Sequence, residues 1–384
     1  MSRRLTVGLR YTHQVQWVGG LYYVRNLVRA LGLLPADHRP RLIIVGGDKA
    51  ALHDLKQATG YPDLDRISRT RIHREPQPRI RLPFGPPEPE TIDLILMGAP
   101  PGLEDRGVQW TPDFQEARFP EFFPPEEAAT RRRINEAAFA SHRHLMVSSQ
   151  DAAEDLARHY GRRDAGVHVV RFATFLPADL PSTDVPDLRR RYDLPERWFI
   201  CANQAWRHKN HEILLLALAE IEAAARPTVV FTGKEEDPRD PAYAPTLRAL
   251  ARELGVEDQA RFLGFLPRED QLGLMAAAVA VVQPSLCEGW STVVEDAKAL
   301  GKQVLASDIA VHREQLDRNV DFFDPADPTA LARLMGRYSQ VGPEVRPLDY
   351  AALQQGFARD LMAMIVEIEN DLRRRRIDRL VIRR

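Results

Sequence analysis

The residues best suited to chemistry lie between Val281 and Gln315, in the stretch VVQPSLCEGWSTVVEDAKALGKQVLASDIAVHREQ. An apolar run ends at Gln283-Pro284, Glu288 follows on a glycine-containing loop, and Ser291-Thr292 are residue types that open a helix. The first N–H groups of a helix lack intrahelical acceptors and sit at the positive end of its dipole, so those of Ser291, Thr292 and Val293 suit a phosphate. Glu288, just before them, suits the hydroxyls of whatever that phosphate carries. A sugar diphosphate meets both demands.

Glu288-Gly289-Trp290, an acid eight positions after Glu288, then Ala297, Gly301 and Val304-Leu305-Ala306-Ser307 resemble the signature of the retaining GT-B glycosyltransferases of family 4. The resemblance implies that Glu288 contacts a donor sugar and that the second acid binds a nucleotide ribose. By count that acid is Asp296, one methylene shorter than the family's Glu, and Glu295 falls one place early. Thr292 and Glu295 have the spacing of a capping box. Successive helical residues point about 100° apart, so the two acids cannot share a target, and the ribose role goes to Asp296.

The same resemblance extends to other loops. Lys209-Asn210 is similar to the family's lysine that pairs with the donor diphosphate, where a fixed cation stabilises charge building on a departing phosphate. The arginine expected six residues earlier is Asn203, which leaves Arg207 as the nearest replacement and His208 as the alternative. Gly19-Gly20 resembles the loop that faces the diphosphate and sugar from the N-terminal domain, although a glycine pair alone reads equally as a tight turn. The family's N-domain histidine is replaced by Pro112, so Asp113 or Glu116 is its substitute, against the alternative of a solvated loop carboxylate. Gly233, Lys234 and Phe265 are expected to border the nucleotide base.

The elements that must carry these residues follow from pattern. Leu5–Arg10 alternates as a strand, and Leu21, Val24, Leu27, Val28 and Leu31 recur at helical spacing. Arg41–Gly47 and Ile92–Met97 are continuous apolar runs, as in buried parallel strands. Further strands are expected at 108–111, 145–149 and 167–172, with helices at 131–143 and 151–160. A second series follows: strands at 198–202, 228–233, 261–266, 279–283 and 303–307, with helices at 247–254 and 270–278. Alternation of this kind predicts α/β architecture with doubly wound parallel sheets. The Pro-rich and Arg-rich segment 69–90 reads as a long loop with little sheet content. Asp63-Leu64-Asp65 reads as a turn beside Pro62 rather than a metal site. The helix from Tyr350 to Leu372 has Leu353, Phe357, Leu361, Met364 and Ile368 on one stripe.

Together with the resemblance, these features give a GT-B expectation of two Rossmann-like domains facing a central cleft. The N-terminal, acceptor-side domain spans 1–180, the nucleotide-sugar domain 181–348, a helix returning toward the first domain 349–372, and a basic tail 373–384. The linker is expected near 174–188. The tail interleaves arginines with Ile377, Leu380, Val381 and Ile382, which reads as a solvated helix end or as peripheral contact with an anionic membrane.

Composition narrows the functional classes. Among 384 residues, 53 Lys and Arg nearly balance 54 Asp and Glu, so no global field selects nucleic acid. Cys201 and Cys287 form no framework of disulfides or CxxC pair, which suits a cytoplasmic home, peripheral to the inner membrane face if the tail binds lipid. The resemblance implies retaining transfer from a nucleoside diphosphate sugar to a glycan, glycolipid or other hydroxyl acceptor, in bacterial polysaccharide or lipopolysaccharide assembly. No metal and no cofactor are expected. Two alternatives stay open: a sugar-nucleotide epimerase on the same fold, and a non-catalytic binding or assembly subunit.

Overall fold

A computed structural model of the chain describes residues 3–12, 18–75, 90–162, 166–177, 180 and 184–382. The chain divides into two compact units. The first comprises Met1–Phe114, Arg131–Ala173 and Ala351–Arg384, and the second Gln115–Thr130 and Thr174–Tyr350.

Unit 1 is built on strands β1 (Thr6–Leu9), β2 (Arg41–Val45), β3 (Leu64–Ile67), β4 (Ile72–Glu75), β5 (Thr91–Ile92), β6 (Leu94–Leu96), β7 (Gly107–Trp110), β8 (His144–Val147) and β9 (Val167–Val169). Seven of them form one parallel sheet in the order β3-β2-β1-β6-β7-β8-β9. Leu42 to Val45 and Leu94 to Leu96 are no more than 2% exposed. Such burial on both faces is why these strands read as unbroken apolar runs. Gly19 and Gly20 lie in the first turn of the Val18–Gly32 helix, three residues earlier than the apolar period begins.

Unit 2 carries β10 (Trp198–Cys201), β11 (Thr228–Thr232), β12 (Ala260–Gly264), β13 (Val281–Gln283), β14 (Val304–Ser307) and β15 (Val320–Phe323). They form a second parallel sheet in the order β12-β11-β10-β13-β14-β15. Both units are therefore Rossmann-like, with apolar helices such as Glu212–Glu220 burying Ile213, Leu214, Leu215 and Leu218 against the second sheet.

Four expectations need correction. The tail is neither a frayed helix nor free for lipid: β16 (Arg379–Ile382) runs antiparallel between β4 and β5, with Leu380 and Val381 buried. Its alternating apolar residues face the core of unit 1. The supposed loop 69–90 accordingly supplies sheet at its described end, residues 72–75, while 76–89 lie outside the described residues. Asp63 precedes the edge strand β3 and Asp65 lies within it, and they pair with Arg4 and Arg41, so an ordered strand replaces the turn. Within the expected linker, Pro186 sits in the first turn of a helix, Val185–Arg191, capped by Asp184. The helix Tyr350–Arg374 buries Phe357, Leu361, Met364 and Ile368 and leaves Leu353 exposed.

Candidate active site

β10 and β13 are neighbours, paired at Ile200↔Val281, and strand order reverses between them. Loops leaving the carboxyl ends of two such strands diverge around a crevice, the usual ligand position in open parallel sheets. The β10 loop carries Asn203, Arg207 and Lys209, and the β13 loop carries Ser285, Glu288 and Ser291. Topology thus brings together residues about 80 positions apart in sequence.

Lys209 ends a 3-10 turn, Arg207–Lys209, and Asn210 (φ 53°) takes the left-handed conformation that leads into the next helix. The Lys209 Nζ donates to Glu288 Oε1 at 2.5 Å, and the two side chains are 14% and 9% exposed. The same oxygen accepts from Ser285 Oγ at 2.7 Å and Gln283 Nε2 at 2.8 Å. Asn203 fixes the Gln283 amide: its Nδ2 donates to Gln283 Oε1 at 3.0 Å, so the Gln283 nitrogen must face Glu288. Asn203, in place of the family's arginine, therefore supports the Glu288 network from below instead of offering a charge.

Arg207, the nearest replacement for that charge, is paired with a carboxylate. Its Nε donates to Asp240 at 2.5 Å, and its guanidinium lies 5.3 Å from the Tyr243 ring centroid. His208 is buried, and burial with Lys209, Arg239 and His211 nearby pushes its pKa well below the ordinary value. His211 is likewise pushed down to about 4 by burial.

Ser291 is the N-cap of the helix Thr292–Ala299, its Oγ accepting from Val294 N–H at 3.3 Å. The expected capping box is absent, because the cap is one residue earlier and Glu295 turns elsewhere. Ser291 N–H also departs from expectation, since it donates to Gln315 Oε1 at 3.1 Å. Thr292 and Val293 remain as the first N–H groups that no helical carbonyl can reach. Glu295 receives Lys298 and Gln315 at Oε1 and the Tyr350 hydroxyl at Oε2. Asp296 Oδ1 receives Arg268 at 2.6 Å and Thr174 Oγ1 at 3.0 Å, while its Oδ2 is buried without a partner.

A small recess of about 20 Å³ lies at the ends of β10 and β11, lined by Asn203, Ala205, His211, Phe231, Thr232 and Gly233 among others. Gly233 is required there. It has φ +132°, and a Cβ would stand 2.3 Å from the Asn203 carbonyl oxygen. Lys234 lies 5.5 Å from the centroid of the exposed Phe265 ring, beside this recess. Trp290, after the buried Gly289, stands 5.9 Å from Lys298 Nζ. Gly19, Gly20 and the half-buried Asp113 belong to unit 1, whereas Glu116 is buried in unit 2.

Sequence reasoning missed Gln283, Ser285, Gln315, Arg268, Thr174 and Tyr350. An amide inside the apolar run VVQPS was a usable signal, because a buried polar group must find partners. Nothing comparable marks Thr174 or Tyr350. Among the described residues, no group of three or more His, Cys, Asp or Glu is disposed to hold a metal ion, and no helix is long and apolar enough to cross a membrane.

Residues 186–352 match the model of the family described as glycosyl transferases group 1. Curated relatives include D-inositol 3-phosphate glycosyltransferases of Corynebacterium efficiens, 29% identical over 53% of this chain and 50% of that one, and of Salinispora tropica, 31% identical over 50% and 43%. The alignment spans about half the length of these relatives. Among solved structures, Anabaena Alr3699/HepE in complex with UDP and glucose has a TM-score of 0.60 at 16% identity, covering 97% of this chain and 99% of that one. WaaG, a glycosyltransferase involved in lipopolysaccharide biosynthesis, has a TM-score of 0.57 at 14% identity, covering 94% and 95%. At such identities the likeness is one of fold, and the fold is GT-B. The segment that matches the glycosyl transferases group 1 family, somewhat under half of the chain, is the one that holds Lys209, Glu288 and Asp296.

Proposed function

We propose that the protein transfers a sugar from a nucleoside diphosphate sugar to an acceptor hydroxyl with retention of anomeric configuration. The observation that carries this reading is the contact of Lys209 with Glu288 beside a helix N-terminus whose Thr292 and Val293 N–H groups are available to an anion. Lys209 and these donors stabilise the leaving diphosphate, and Glu288 holds hydroxyls of the donor sugar. The bond from the anomeric carbon to the phosphate oxygen breaks with its electron pair leaving on the diphosphate. The acceptor oxygen bonds to the same face of that carbon, and its proton passes to the departing phosphate oxygen. Because Lys209 and the helix dipole supply positive charge, the reaction is proposed to need no divalent metal. Asp296 is assigned to the ribose, and the recess at Gly233 to the base. The relatives' names support glycosyl transfer, and the family resemblance supports the donor class. The proposed acceptor is a glycan or glycolipid hydroxyl, as in bacterial polysaccharide or lipopolysaccharide assembly, supported by the family resemblance alone.

Calorimetry with UDP, GDP, ADP and their hexose conjugates, with and without EDTA, tests the reading. One base should bind with a Kd of about micromolar order, unchanged by EDTA and weakened about tenfold or more by Lys209→Ala. NMR of the transferred sugar should then give the donor's anomeric configuration. A well-folded protein that binds none of them, or an inverted product, contradicts the proposal.

A further inference from the structure

Glu295 and Asp296 are adjacent on the Thr292–Ala299 helix and equally buried, at 1% exposure, yet their surroundings differ. Glu295 has both oxygens engaged: Oε1 by Lys298 Nζ at 2.8 Å and Gln315 Nε2 at 2.9 Å, Oε2 by the Tyr350 hydroxyl at 2.6 Å. Asp296 has both protein donors on Oδ1, and its Oδ2 has none. A buried carboxylate oxygen left without a donor is costly, and such atoms call for an explanation. A ligand hydroxyl would supply the missing donor.

The donors on Oδ1 are themselves anchored. The Tyr350 hydroxyl, while donating to Glu295, accepts the Thr174 N–H at 2.8 Å. Thr174 is thus pinned through its backbone while its side-chain hydroxyl holds Asp296. Burial and the neighbouring Glu295 raise the Tyr350 pKa well above its ordinary value, so the phenol keeps the proton this arrangement needs. Arg268, at 20% exposure, is partly open to solvent. Thr174 and Tyr350 are also the first and last residues of the long segment of unit 2.

We propose that Thr174, held by Tyr350, is a positioning residue that fixes Asp296 through Oδ1 and so presents Oδ2 to the ribose hydroxyls of the donor. The inference rests on the donor-binding reading above. It also accounts for the shorter acid: a carboxylate pinned at one oxygen needs no further reach if its own chain segment holds it in place. Glu295 is the structural member of the pair, its two oxygens already taken.

The test uses whichever of UDP, GDP and ADP the wild-type protein binds most tightly, together with the 2′,3′-dideoxy form of the same nucleotide. In the wild type the ribo form should bind about tenfold more tightly than the dideoxy form. Thr174→Val should lower affinity for the ribo form by most of that factor and leave the dideoxy form within about twofold. Tyr350→Phe should follow the same pattern, and Thr174→Ser should keep the wild-type ratio. Equal loss for both forms, or no loss for either, overturns the positioning role. If the wild type fails to discriminate the two forms, the ribose assignment of Asp296 falls. If it binds no nucleotide, the donor reading itself falls and takes this inference with it.

Discussion

At Glu288 one carboxylate oxygen gathers three hydrogen bonds, from Lys209, Gln283 and Ser285. Glu288→Gln keeps an acceptor oxygen and the shape of the side chain while removing its charge. Turnover should therefore fall by about a hundredfold or more, the order seen when one fixed electrostatic contact to a transition state is lost. Stability should change by no more than about 1 kcal/mol, because the hydrogen bonds can re-form. Full turnover in this variant would remove Glu288 from the mechanism. Residue types and spacing point to Glu288, and Lys209 follows from the family resemblance of a separate loop. Their supports were not legible, because Gln283 and Asn203 meet only through the adjacency of β10 and β13, which periodicity does not state. Arg207 illustrates the converse. Its position in the chain suggests a phosphate contact, and the structure adds a pairing with Asp240 on a different loop that spacing does not state.

The apolar run Arg41–Gly47 was read correctly as the buried strand β2, because a strand covered on both faces leaves no other pattern, whereas the run Ile92–Met97 divides at Asp93 between β5 and β6 of different sheets. β8, β10 and β11 are close to the unbroken kind, and β1 was found from its alternation. β16 was not, since its Leu380 and Val381 are set among arginines and its partners β4 and β5 lie far earlier in the chain. Arg106 adds to its anchorage, donating to the carbonyls of Asp93, Ile377 and Asp378. Leu380 is fully buried, so Leu380→Ala should destabilise the protein by about 2–4 kcal/mol, from lost burial plus the cavity left behind. Denaturant melts of the two proteins measure this directly. A tail serving only as a lipid contact would give unchanged melting, and that result would refute the strand.

On the scale of the whole molecule, each unit encloses a histidine that burial keeps neutral. In unit 1, burial and the neighbouring His168 push His144 down to about 4, against the opposing pull of Asp371. Its ring meets His168 at 3.1 Å from β9 and Asp371 at 3.4 Å from the C-terminal helix, with Arg143 alongside. In unit 2, burial takes His211 to about 4, where Phe231 and Tyr243 pack against the ring and Lys209 adds like charge. An unfolded histidine titrates near 6.5, so between pH 6.5 and about 4 the unfolded chain binds more protons than the folded one. Stability is therefore complete above pH 6.5 and declines as pH falls through this window, by on the order of 2 kcal/mol per histidine at pH 5. Asp371, where burial is outweighed by Arg143 and Arg375, is held below its ordinary value and contributes further loss only at more acidic pH. Urea melts from pH 8 to pH 4.5 should show stability level down to about pH 6.5 and falling below it, with both units affected. Imidazole nitrogen shifts should report neutral rings at pH 6, and charged rings there, or stability that holds to pH 5, would contradict the buried neutral state.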